Sequence, residues 1–473
     1  MQTRRNIYKI LESGGSEIAA YRKGVEVMKA RSNANQNDPT GWIFQANMHG
    51  TSLRNPTFNQ FWNQCQHGSF FFLSWHRMYI YFFERIVRAA SGDSNFSLPY
   101  WNYSERNQSV LPEPFRIPAD SSNTLYVSQR RNQINQGQPL PANSVEYRTA
   151  LSYVNFFSDI GSLAPSFGGG VVPGPMQFAN PNVRGQLENQ PHNVIHTVIG
   201  GAGWMSDPLL AARDPIFWLH HSNIDRLWEQ WLNQGQGRSN PVNNSTWINT
   251  KFVFFNENGQ KQEMSGKDIL DTASQLNYIY DDKPMTPPPP PPTVSFVAPR
   301  STQPEFLGST PEGKVIQLTT NAAEFSISPV AQRAAFTALP VENQRVMLVF
   351  EGIEYEKPPG VNYEVYLNLP DDNSAPKQEN YVGTIGLFAM EPHNHSHAEE
   401  HSGHDEHMAH EHGNHDTGEK HPKPTVVLEA TKVVEALQKQ GKWSGQFRIS
   451  LVTTYQDKPL SEVRFQKISV YTF

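Results

Sequence analysis

The chain has 473 residues, a formal charge of −6 and 11% aromatic residues, which is long enough for two or three domains with sizeable cores. No basic patch argues for nucleic acid as a partner, and the mild acidity says little about partners; the single cysteine, Cys65, excludes an intramolecular disulfide framework or a cysteine-rich zinc module. No window approaches a membrane span, and the start, MQTRRNIYKILESGG, lacks the apolar stretch of a secretion signal. A cytoplasmic protein is expected, with export alongside a partner left open.

Residues 1–285 predict one mainly helical domain. SEIAAYRKGVEVMKARS has apolar positions at helical spacing, and SWHRMYIYFFERIVRAA is apolar on most faces, as a buried core helix should be. A polar region rich in Gln, Asn, Pro and Gly follows, about 104–186, where surface loops are expected. Asp214–Pro215 then starts a third helix, DPIFWLHHSNIDRLWEQWL, with a good cap followed by proline at the first helical position.

Pro287–Pro292, six consecutive prolines inside a linker at 286–295, predict a stiff polyproline II spacer of roughly 19 Å. Beyond it, residues 296–473 change to period-2 patterns: RVMLVFEGIEYE, VNYEVYLNLP, NYVGTIGLFAM, SGQFRISLVTTYQ and SEVRFQKISVYTF. With one helix over Leu428–Lys439, they predict an all-β, sandwich-like domain. A low-complexity run at 391–421 inside it is too polar to pack.

Histidine carries the chemistry. Of seventeen, ten lie between His393 and His421, and the other seven form two clusters in aromatic sequence. The early cluster is His49, His67 and His76. His76 opens an apolar helix, where an unpaired ring is costly to bury without a ligand or partner. The late cluster begins with His192-Asn-Val-Ile-His196, whose spacing puts two imidazoles on one helical face. One of His220 and His221 would complete it. Two three-imidazole sets without a carboxylate suit copper better than calcium, magnesium or a catalytic zinc. Two such sites facing each other can bind dioxygen between them. An HxxxH alone would more often be two satisfied surface histidines.

The strings FLSWHRMYIYFFERI, PHNVIHTVIGG and MSDPLLAARDPIFWLHHSNIDRLWEQW resemble the copper-binding regions of the tyrosinase and polyphenol oxidase family. The resemblance implies a type-3 dicopper centre with O2 as co-substrate. It assigns His49, His67 and His76 to the first copper and His192, His196 and His221 to the second, leaving His220 a structural neighbour. It also implies a thioether between Cys65 and His67, against the alternative of a buried free thiol. Glu188 and Asn193 occupy places thought to hold a water that accepts the phenol proton, although Glu188 could equally cap the His192 helix. Asp225 and Arg226 are expected behind the ligands, the carboxylate orienting an imidazole or pairing with a core arginine. Phe217 and Trp218 read as core packing, and Tyr278 and Tyr280 as a structural tyrosine motif.

The tail is similar to the C-terminal domain of plant polyphenol oxidases, which covers the copper site. This implies a lid, with the KPPG turn Lys357–Gly360 as the expected intruder. The histidine run departs from that pattern. It is either a solvated loop or a place for extra metal ions. The function implied is ortho-hydroxylation of monophenols and oxidation of o-diphenols to o-quinones. The alternatives are a catechol oxidase limited to diphenols and a hemocyanin-like oxygen binder. Small phenols are the expected partners; a homo-oligomer is compatible with the sequence.

Overall fold

The computed structural model describes residues 1–282, 304–329, 345–370, 376–390 and 423–473, apart from 54, 56, 160, 180–182, 314 and 444. The proline spacer and the histidine run lie outside the described residues.

The helical part is organised around Phe72–Ser91, which packs between Glu17–Ala34 and Pro215–Asn233. Its apolar-all-round sequence is explained by burial on nearly every face. Trp218 stacks on Phe83 with ring centroids 3.4 Å apart and planes 7° apart, locking two of these helices together. The predicted start at Asp214 is observed: its carboxylate accepts from Ile216 N at 3.0 Å, and Pro215 is the first helical residue. The 104–186 region is largely irregular, but it is more than surface loop. Leu111, Phe115, Leu125, Ile134 and Phe167 are fully buried, so its polar stretches are pinned by apolar anchors that composition alone does not reveal. Gln2–Arg4 pairs in parallel with Tyr278–Tyr280, joining the two ends of the helical part.

The later residues form antiparallel strands, as the alternation predicts. Eight of them run in the spatial order Tyr381–Ile385, Tyr363–Leu367, Phe447–Thr453, Ala322–Pro329, Glu305–Ser309, Lys467–Thr472, Val346–Glu351 and Val426–Glu429. A three-stranded sheet, Glu354–Tyr355, Val463–Phe465 and Ile316–Leu318, adds to it. A separate apolar core, including Leu348, Val365, Ile449 and Val470, fills their interior. The helix predicted from Leu428 starts later, at Thr431, and ends at Lys439. Leu428 instead pairs with Leu348 in the ladder, where its side chain joins the apolar interior. Among the described residues no helix is long and apolar enough to cross a membrane.

Candidate metal centre and its cover

Five separate segments deliver seven buried histidines to one place. His49 ends the helix Trp42–His49, and His76 lies in the first turns of Phe72–Ser91. His67 comes from a loop pinned by two backbone bonds, His67 N to Gln177 O at 3.0 Å and Ala179 N to His67 O at 2.8 Å. His220 and His221 are on Pro215–Asn233. His192 and His196 depart from the simple picture of one helix. Residues Glu188–Asn193 form a wide, kinked turn in which Gln190 is extended (φ −146°, ψ 124°), and the regular helix is Val194–Gly200. The two rings still meet, edge to face with centroids 4.6 Å apart, and both turn Nε2 toward His221.

The ring nitrogens are arranged for metal. Nδ1 of His49, His76 and His196 lies 2.8–2.9 Å from the carbonyls of Pro208, Phe72 and Met205, and Nδ1 of His192 lies 2.8 Å from Asn193 Oδ1. Each acceptor requires the proton on Nδ1, which leaves the Nε2 lone pair pointing inward. His49 and His67 Nε2 are 3.3 Å apart, and His221 Nε2 is 3.4 and 3.3 Å from those of His192 and His196. Imidazole nitrogens about 2.0–2.1 Å from one metal in a near-tetrahedral array lie about 3.3–3.4 Å from each other, so the spacing fits. His76 Nε2 is buried with no partner, the state of a ligand atom facing a cation. An all-imidazole donor set fits copper.

His221 borders both sets: its ring also stacks on His76 at 4.4 Å and 13°. Its Nε2 distances assign it with His192 and His196. His220 lies against the same set, stacked 5.2 Å from His192, with both its nitrogens buried and unpartnered. Burial holds all seven imidazoles below their ordinary pKa, His49 at about 4 and His220 at about 3. They are neutral, as metal ligands must be.

Glu188 does not cap its own helix. Its carboxylate reaches back to the His67 loop, accepting from Gly68 N at 2.7 and 3.0 Å and lying 3.3 Å from His67 Nδ1. The approach requires glycine: Gly68 has φ 78°, and a Cβ there would lie 1.9 Å from Ala179 O. Burial raises the Glu188 carboxyl to about 7, against the opposing pull of Arg184 and the Gly68 N–H. Asn193 spends its oxygen on His192 and leaves Nδ2 buried and unpartnered. Cys65 is buried, its sulfur 3.6 Å from Gln177 Nε2 and within 4.8 Å of the ligand atoms of His49 and His67. Burial pushes its thiol up, so it is neutral too.

Asp225 and Arg226 stand apart from the imidazoles. Asp225 pairs with Arg77 at 2.5 Å and Arg4 at 3.2 Å and accepts from Tyr278 and Tyr280, each at 2.6 Å. This is the core-arginine alternative, and no ligand ring is oriented by it. Arg226 binds Asp282 at 2.7 Å and Asn223 at 3.0 Å. Phe217 is more closely engaged, with its ring 4.2 Å from that of His221 and 4.9 Å from His49. Trp218, Tyr278 and Tyr280 are packing residues, as read.

The strand region reaches the histidines through a different segment from the one expected. The KPPG turn docks beside Arg131, which donates to Gly360 O at 3.1 Å. The intruder is the turn after Tyr381–Ile385. Phe388, 2% exposed, lies flat on His196 with ring centroids 3.8 Å apart and planes 7° apart, and it is 5.7 Å from both His67 and His192. Asn189 holds the turn, donating to Thr384 O and accepting from Gly386 N, and Tyr355 donates to Leu387 O. At Gly386 a Cβ would lie 2.6 Å from that of Asn193, so the close approach depends on glycine. Phe388 and Arg184, which donates to Ala389 O at 2.8 Å, are the two residues of this site that the sequence reading missed. The available signal was an apolar GLFAM run continuing past a glycine at the end of a strand.

Residues 39–234 match the common central domain of tyrosinase, 242–287 the polyphenol oxidase middle domain, and 303–409 a domain of unknown function. The chain is 35% identical over 430 residues to the tyrosinase HcTyr1 of a Hahella species, covering 83% of this chain and 86% of that one. It is 29% identical over 428 residues to the chloroplastic polyphenol oxidase A1 of Vicia faba, covering 80% and 66%. The structure of latent apple tyrosinase shares the fold, with a TM-score of 0.65 at 22% identity over 100% of this chain and 97% of that one. These relatives overturn the expectation of a cytoplasmic protein. Several plant relatives are chloroplastic by name while another is bacterial, and a missing apolar stretch says nothing of polar transit segments. Sequence, fold and the buried histidine centre together show that the chain belongs to the tyrosinase and polyphenol oxidase family of copper oxidoreductases, with a dicopper centre and O2 as co-substrate.

Proposed function

We propose that the chain is a tyrosinase in the full sense, hydroxylating monophenols at the ortho position and oxidising o-diphenols to o-quinones. His49, His67 and His76 hold one copper, and His192, His196 and His221 the other. Bound copper supplies the redox chemistry by which dioxygen is activated and reduced to water. The observation that carries the monophenol step is the pair Glu188 and Asn193. The carboxyl, raised to about 7, is a base poised near neutral pH, and the unused Asn193 Nδ2 is a donor able to orient a water beside it. Together they accept the proton of an incoming phenol. Cys65, next to His67 in space, is joined to it by a thioether, which fixes the one ligand carried by a loop.

Residues 296–473 act as a lid on the catalytic domain 1–285, with 286–295 as linker and Phe388 occupying the place of a substrate ring. The flat stacking on His196 supports this, because a planar phenol entering the centre would meet the same imidazole face.

Oxygen uptake with tyrosine and with catechol, at equal copper and before and after cleavage of the proline spacer, tests the reading. Cleavage should raise both rates. Glu188→Gln should lower the tyrosine rate by roughly a hundredfold and the catechol rate far less. Catechol oxidation without any tyrosine oxidation would reduce the protein to a catechol oxidase. Equal losses in the Glu188 variant would make that residue structural.

A further inference from the structure

Arg184 is buried where the strand region meets the helical part, and it divides its donors between them. Nη1 donates to Glu188 Oε1 at 3.2 Å, Nη2 donates to Ala389 O at 2.8 Å, and Nε is buried with no acceptor. Its side chain is 1% exposed. Ala389 directly follows Phe388, and it holds a left-handed backbone, φ 54°, a conformation unfavourable for a non-glycine residue. The strained backbone turns its carbonyl onto the guanidinium while the preceding ring lies on His196. The plug therefore offers two things side by side: an aromatic ring to an imidazole face, and an oxygen acceptor to a buried cation.

A guanidinium presents a planar fork suited to two oxygens, and a carboxylate satisfies it far better than a single neutral carbonyl. With the plug in place, one carboxylate and one carbonyl are shared among three donor nitrogens, and Nε is left over. Withdrawal of the plug removes the carbonyl and leaves a cation facing the vacated ring position.

We propose that Arg184 is a specificity residue that selects phenols whose ring bears a carboxylate-ended side chain, the ring replacing Phe388 and the carboxylate replacing the Ala389 carbonyl. The assignment deepens the phenol oxidase reading and rests on it for the nature of the ring. It does not need Glu188 to change its charge. Nor does it depend on the identity of the metal, because the contact is between side chain and substrate tail.

The test uses the copper-loaded full chain carrying Phe388→Gly, which vacates the ring position and leaves Ala389 O as a single neutral acceptor for the carboxylate to displace. Calorimetric binding is measured for phenylpropionate and phenylpentanoate, each against its neutral amide. At least one acid should bind about tenfold more tightly than its amide, as expected of a charge-assisted contact. Arg184→Gln in the same background should reduce that preference to under twofold. Arg184→Lys, which keeps the charge and loses the fork, should retain an intermediate preference, and it serves if the glutamine variant does not fold. The proposal is overturned by equal affinities for acid and amide, by no binding of either, or by a preference that survives both substitutions, which would put the carboxylate on the metal. Oxygen uptake with catechol by the same Phe388→Gly chain separates the two readings. Tail preference without uptake sinks the oxidase and leaves the Arg184 assignment standing. Uptake without tail preference sinks Arg184 alone.

Discussion

Two buried polar clusters share the helices Phe72–Ser91 and Pro215–Asn233, and they are built on opposite terms. His76 and Arg77 are neighbours in sequence, and His221 lies one turn from Asp225. On one side Arg77 and Arg4 meet Asp225, Glu229 and Glu84, with Tyr278 and Tyr280 completing the set. Burial pushes the Asp225 carboxyl up, but Arg77 and Arg4 outweigh it and hold the group below its ordinary value. On the other side burial pushes every imidazole down, and among the described residues no acid lies near enough to restore a charge except Glu188 beside His67. The first cluster closes on itself; the second turns its lone pairs toward a common centre. Buried polarity alone therefore does not mark a site. Convergent, unfilled ligand atoms do.

The largest break in that comparison should come from the ligand side. His196→Ala should remove one of the two coppers and nearly all oxidase activity, while the metal-free protein stays folded because the substitution strands one neutral carbonyl, Met205 O, and no charge. Full copper in that variant, by metal analysis, would exclude His196 as a ligand. Asp225→Ala is the converse. It leaves Arg77 and Arg4 buried beside a lost charge and should cost about 3–5 kcal/mol, read by urea unfolding, with copper content per folded molecule unchanged. A loss below about 1 kcal/mol would mean that water replaces the carboxylate.

Acid sharpens the contrast at smaller scale. In metal-free protein, the unfolded chain takes up protons below about pH 6.5 that the neutral buried rings refuse, so stability should fall as pH drops from there toward 4, where His49 titrates. Glu188 acts in the other direction. Its contribution is full below the ordinary carboxyl range and is lost as pH rises toward 7, but one carboxyl opposes seven rings. Asp225, held low, loses its contribution only below the ordinary aspartate range. The urea midpoint should therefore decline first through the imidazoles and then through the ion pairs. A midpoint flat from pH 6.5 to 4 would mean that the rings protonate freely in the folded state.

Much of the centre was legible because its chemistry is written locally. The His192–His196 spacing, the Asp214–Pro215 helix start and the aromatic surroundings of His76 all act over a turn or two of chain. Phe388 was not legible in that way. Within GLFAM it has the character of any strand-core residue, and its meaning arises from His196, which lies far away in sequence. Arg184 was hidden for a related reason: Glu188 is only four residues away, but the second partner, Ala389 O, is visible only once two distant segments meet. The Leu428 boundary failed because its apolar pattern suits a helix and a buried strand alike, and the ladder with Leu348 decided between them.

The parallel pairing of Gln2–Arg4 with Tyr278–Tyr280 has a practical corollary. Arg4 donates to Glu84 and to Asp225 and lies 3.6 Å from the centroid of the Tyr278 ring. Gln2–Arg4 thus behaves as an internal strut. Deleting Gln2–Arg4 would strip a cation from beneath the helix that carries His221, and would be felt as a weakened scaffold.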